Sequence, residues 1–172
     1  IRYAILAGVD SIEHATFLDK ETAILARENN VTLAMDIYNT DYTQEHGRKN
    51  GVPEANLIKD RETGDSQRNS FKIAVENNVN LVYATDSGVY PHGDNAKQFP
   101  IMVEYGMTPI QAIRSATIIA AELLDSSLKI GQIKPGYLAD IIAVSKNPLE
   151  DITTFETITF VMKDGKIYKQ LN

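Results

Sequence analysis

Two residues in this chain are of types that suit metal chemistry: His14, which closes SIEH, and Asp86, in ATDSG. Neutral imidazole and carboxylate are the ligands a divalent cation such as zinc takes when no thiolate is offered, and the chain has no cysteine. Each residue alone has an ordinary explanation. A histidine at a strand end is most often a satisfied structural residue, and an aspartate before Ser-Gly is most often a turn or cap residue. Other polar residues stand nearby. His92, in VYPHGDN, is either a solvated loop histidine or a substrate contact. His46, in TQEHGRKN, is flanked by charge and expected to face water. Asp36 is expected to serve as a loop-entry residue, and Tyr38 and Tyr42 either line the mouth of a site or pack and stiffen a loop.

The elements around these residues decide whether they can meet. Residues 1–8 have helical composition and end in Gly8; residues 9–14 alternate as a short strand ending at His14. Asp19 is placed as N-cap of a helix that Asn29-Asn30 closes, with Ile24, Leu25 and Ala23 as its apolar face. A second strand, VTLAMDIY, leads into a polar loop. Pro53 then starts one long or interrupted helix over 54–78, weakened at Gly64. NLVYAT is the third strand, and Asp86 stands at its end. Two helical patterns follow, 95–105 and 109–125, the second opened by Thr108-Pro109, with Ile110, Ile113, Ala116, Thr117 and Ala120 at helical spacing.

After Leu128 the pattern changes. ADIIAV reads as a buried strand, and ETITFVMKDGKIYKQ as a hairpin turning at Asp164-Gly165. Alternating strands and helices predict a parallel α/β sheet or barrel. In that arrangement His14 and Asp86, two β/α units apart, project from the same C-terminal edge, where such folds place ligands and catalytic groups.

SIEHATFLD, LVYATDSGVYPHGDN, TPIQAIRSATIIAAELL and GQIKPGYLADIIAVSKNPLEDI together resemble the amidohydrolase superfamily. The nearest branch is that of the imidazolonepropionase-related Xaa-Pro dipeptidases (prolidases) and basic-residue carboxypeptidases. The resemblance covers essentially the whole chain in order. It implies the C-terminal part of a (β/α)8 TIM barrel, strands six to eight, over residues 1–127, and part of a small β-sandwich over 128–172. It also implies one or two divalent metals, usually zinc, with His14 as the sixth-strand ligand. Asp86 would be the eighth-strand ligand and proton shuttle. Tyr3 would be a substrate contact, although it could equally be a packed helix residue; His92, by its place on the same edge, is the second candidate substrate contact. The implied reaction is amide hydrolysis by metal-activated water, in Xaa-Pro or Xaa-basic dipeptides or acyl-amino acids; a cyclic amide hydrolase or deaminase is the alternative. The family's remaining ligands have no counterpart here. The chain alone is therefore expected to be catalytically incomplete and to need the missing N-terminal part of the same protein.

Composition sets the outer limits. At 172 residues, with 43% hydrophobic and 23% charged residues, the chain suits one sizeable globular core or most of a larger domain. A net charge of −6 without a basic, aromatic-interleaved stripe argues against nucleic acid as partner. No apolar run approaches the ~18–20 residues of a membrane helix. A small molecule or dipeptide is the expected partner, a cytoplasmic location is expected, and a homo-oligomer is left open. The abrupt start at Ile1 reads as a cut within a longer polypeptide or as a processed N-terminus.

Overall fold

The computed structural model describes residues 1–125 and 129–171. Its first half alternates helix and strand: α1 (Arg2–Leu6), β1 (Ser11–Glu13), α2 (Lys20–Glu28), β2 (Thr32–Met35), α3 (Asn39–His46), α4 (Glu54–Glu76) and β3 (Leu81–Tyr83). The three strands form one parallel sheet in the order β1-β2-β3, with Glu13 opposite Ala34 and Ala34 opposite Val82. All four residues of β2 are buried, as expected of a central parallel strand covered on both faces. Leu33, Met35 and Ile37 pack there with Ile5, Phe71 and Met102.

Local chemistry explains where these helices start and stop. The Asp19 carboxylate accepts the Thr22 N–H at 2.7 Å, capping α2. The α2–β2 and α4–β3 junctions both read Glu-Asn-Asn-Val. At each, the second asparagine (Asn30, Asn78) adopts φ 55°, and the valine N–H reaches back to Ala26 O at 2.9 Å or Ala74 O at 3.0 Å. These are left-handed helix closures with asparagine in the place usually taken by glycine. The loop expected after β2 is partly helical, as α3. The helix expected over 54–78 runs unbroken through Gly64, because that glycine makes room for a neighbour: a Cβ there would stand 2.3 Å from Thr40 Oγ1 on α3.

Beyond β3 lie a 3-10 turn (Asn95–Lys97), α5 (Gln98–Glu104), α6 (Pro109–Ser115) and α7 (Ile118–Asp125). Thr108 and Gln111 form a reciprocal capping box before Pro109. The helical pattern over 109–125 is two helices. Its buried face is not the expected one either: Ala112 and Ser115 face inward, small enough for close approach, while Ile110 is 48% exposed.

The tail is an antiparallel sheet, β4 (Ile141–Val144), β5 (Ile158–Lys163) and β6 (Lys166–Gln170), in that order. Asp164 and Gly165 take φ 47° and 75°, the two positive angles of the expected hairpin turn. The Asp140 carboxylate pins that turn, accepting Lys163 Nζ and Asp164 N–H, each at 2.7 Å. The strand expected to be buried, ADIIAV, is an edge strand with Ile142 50% exposed, since none of the described elements covers that face. The expected boundary between residues 127 and 128 lies outside the described residues. A ladder of rings, Tyr83 to Phe99 at 4.3 Å and Phe99 to Phe155 at 4.8 Å, joins the tail to the parallel unit. No helix among the described residues is long and apolar enough to cross a membrane.

Candidate metal centre

The C-terminal edge of the parallel sheet gathers one imidazole and two carboxylates. His14 directly follows β1, Asp36 directly follows β2, and Asp86 lies three residues beyond β3. One ligand atom from each lies within 4.8 Å of the others. His14 and Asp86 therefore meet, as their places at strand ends predict. Asp36 joins them, against the expectation of a loop-entry role.

The backbone at this edge is bent to bring the side chains together. His14, Ala15 and Asp86 have φ of 64°, 46° and 45°, in the left-handed region, which costs an L-residue free energy and persists only where its surroundings impose it. The His14 N–H still donates to Ala34 O at 2.8 Å, so the ladder holds the residue while the chain turns away.

Asp36 is the hub of the polar contacts. Its Oδ1 lies 2.7 Å from His14 Nδ1 and accepts Gln67 Nε2 at 2.7 Å; its Oδ2 accepts Asn39 Nδ2 at 2.5 Å. Its side chain is 8% exposed, against 54% for His14. Asp86 is exposed and takes no hydrogen bond or ion pair among the described residues. The His14 pKa is raised above 6.5, first by the hydrogen bond to Asp36; partial burial opposes this, and the charges of Asp36, Asp86 and Glu13 add to it.

An imidazole with two carboxylates is a donor set that a borderline or hard divalent cation accepts, so these residues fit a metal ion. A cleft of about 540 Å³ opens beside the cluster, walled by α3 and α4 through Asn39, Thr40, Asn56, Lys59 and Gln67. A larger, more apolar cleft of about 810 Å³ lies between the tail sheet and α6, but it contains none of the three residues. The chemistry favours the smaller one.

The other candidates are not members of the His14, Asp36 and Asp86 group. Tyr3 is on α1 and 88% exposed. His92 is exposed, its Nδ1 3.1 Å from Ser87 Oγ. Tyr38 packs edge-on against Tyr90 at 4.8 Å, and Tyr42 against His46 at 4.5 Å, so His46 is half-covered by a ring rather than fully in water. Asp36 carried a usable signal in the sequence: it ends an otherwise apolar strand, just as His14 ends its own. Gln67 carried a fainter one. It occupies the buried stripe of α4 with Leu57, Gly64, Phe71 and Ala74, a place where a polar side chain needs a partner.

With this geometry established, comparison with known proteins identifies its relatives. The family model described as the amidohydrolase family matches residues 1–168. The chain is 33% identical to ochratoxinase of Aspergillus niger over 98% of its length, covering 36% of that protein. Its structure is similar to that of a Xaa-Pro dipeptidase with methionine bound in the active site (TM-score 0.88, 42% identity, 96% of this chain and 41% of that one). It is likewise similar to a prolidase complexed with N-methylphosphonate-L-proline (TM-score 0.89, 27% identity, 99% of this chain and 42% of that one). The chain thus spans little more than a third of the curated relative's length.

Proposed function

Because the chain belongs to the amidohydrolase family, we propose that the polypeptide carrying it is a metal-dependent hydrolase of amide bonds in Xaa-Pro or Xaa-basic dipeptides or acyl-amino acids. The observation that carries this reading is the convergence of His14, Asp36 and Asp86 at one sheet edge. In this reading β1, β2 and β3 are the last three strands of an eight-stranded barrel, a placement supported by their parallel, consecutive order. The tail sheet is part of a sandwich, and the other metal ligands stand on other strands. The 172-residue chain by itself is then inactive.

 Zinc is one ion that takes histidine and carboxylate ligands without thiolate. When bound, it supplies Lewis acidity, polarising the scissile carbonyl and making water a stronger acid. His14 holds its ring at the sheet edge. Asp86, exposed and without a hydrogen bond among the described residues, would take a proton from the attacking water and return it to the leaving amine. Tyr3 and His92 are proposed to contact substrate, Tyr3 from α1 and His92 from the loop after β3.

The test uses the full-length polypeptide. Metal content is measured, and a dipeptide library is assayed beside lactams and aminopurines. Hydrolysis of Xaa-Pro or Xaa-basic dipeptides, abolished by Asp86→Asn and by metal removal, is the expected result. Opening of lactams or release of ammonia with the dipeptides untouched would overturn the dipeptidase reading in favour of the cyclic amide hydrolase or deaminase.

A further inference from the structure

We infer that Asp36 is a positioning residue for His14 rather than a third metal ligand, and that Gln67, reaching from α4, sets Asp36 in place. The inference rests on the reading of His14 as a metal ligand.

Three observations separate the two roles for Asp36. The first is a distance. Two ligand atoms about 2.0–2.2 Å from a tetrahedral ion stand roughly 3.4 Å apart, whereas His14 Nδ1 and Asp36 Oδ1 are 2.7 Å apart. That is the length of a charge-assisted hydrogen bond, so the two atoms share a proton. An ionised carboxylate only accepts, so Nδ1 carries the hydrogen and the lone pair of the neutral ring is on Nε2. The second is occupancy. Asp36 receives contacts from His14, Gln67 and Asn39 and is buried, while Asp86 has no hydrogen bond or ion pair among the described residues. A carboxylate engaged on both oxygens orients its neighbour; a bare one is free for a cation.

The third is the double use of Gln67. Its Nε2 carries two hydrogens, and it donates to Asp36 Oδ1 at 2.7 Å and to His14 O at 3.4 Å. One buried amide thus holds both the partner of the His14 ring and the carbonyl of the same residue, whose backbone is already bent to φ 64°. Gln67 couples α4 to the orientation of the ring.

The experiment measures Co²⁺ affinity by chelator competition, and the visible absorption of the Co²⁺-saturated protein, in the full-length polypeptide. Asp36→Ala and Gln67→Leu are expected to weaken Co²⁺ binding about 10–100-fold while leaving the saturated spectrum as in the parent. Asp86→Ala and His14→Ala change the spectrum, because they remove ligands. Asp36→Asn, which keeps an acceptor oxygen, recovers part of the affinity. A spectrum for Asp36→Ala that changes as that of Asp86→Ala does makes Asp36 a ligand and overturns the inference. So does affinity within twofold of the parent in Asp36→Ala or Gln67→Leu. If Asp36→Ala does not fold, Gln67→Leu decides by the same two measurements. A parent protein that takes up no divalent metal overturns the metal-hydrolase reading itself, and this inference with it.

Discussion

Replacing Gly64 with alanine would test the contact that seats α3 against α4, and with it the wall of the site. The added Cβ would lie 2.3 Å from Thr40 Oγ1, 2.7 Å from its Cγ2 and 2.8 Å from its Cβ. Rotation of the Thr40 side chain moves the first two atoms but leaves the third, so one helix has to shift by roughly 0.5–1 Å to restore ordinary contact. Overpacking of this kind costs about 1–3 kcal/mol. Alanine in a helix interior recovers about 1 kcal/mol relative to glycine, which leaves a net loss of up to about 2 kcal/mol. In a Thr40→Gly background the obstructing atoms are gone, and Gly64→Ala should stabilise by about 1 kcal/mol. The two sites are therefore coupled by about 1–3 kcal/mol, measurable by urea denaturation of the four proteins of a double-mutant cycle. Coupling below about 0.5 kcal/mol, or stabilisation by Gly64→Ala with Thr40 in place, would refute the steric argument. The shift also reaches the site, since Asn39 precedes Thr40 on α3 and donates to Asp36 at 2.5 Å.

Three further outcomes are expected. In the metal-free protein His14 should titrate above 6.5, first because of its hydrogen bond to Asp36. A raised folded-state pKa means that the stabilisation is fully present below about 6.5 and is lost as pH rises through the raised value. Proton NMR of the imidazole reads the midpoint, which should fall in Asp36→Asn; a parent midpoint at or below 6.5 contradicts the assignment. Thr108→Ala removes the capping box of α6 and should cost about 1 kcal/mol in chemical denaturation, whereas an unchanged midpoint would show the cap to be dispensable. Phe155→Ala removes the last ring of the ladder and should cost about 3–5 kcal/mol; a cost under about 1 kcal/mol would mean that the tail sheet is held to the parallel unit by other contacts.

Features set within a few residues were legible in the chain itself. Strand ends at His14 and near Asp86, the Asp19 cap, the Thr108-Pro109 helix start and the Asp164-Gly165 hairpin all follow from local dihedral preferences and hydrogen bonds between near neighbours. The period-two and period-3.6 patterns also placed His14 and Asp86 on one edge, because parallel strands share a direction. Tertiary structure decided what those residues meet. Asp36 contacts His14 from 22 positions away and Gln67 from 31, pairings that exist only once β1 and β2 lie side by side with α4 packed across them. The same holds for which faces are buried. Ala112 and Ser115 replaced Ile110 on the inner face of α6, and Gly64 sits within a helix because Thr40 occupies the space beside it. A hydrophobic pattern records that a face will be covered; the shape of the covering element, fixed by distant parts of the chain, determines which side chains fit there.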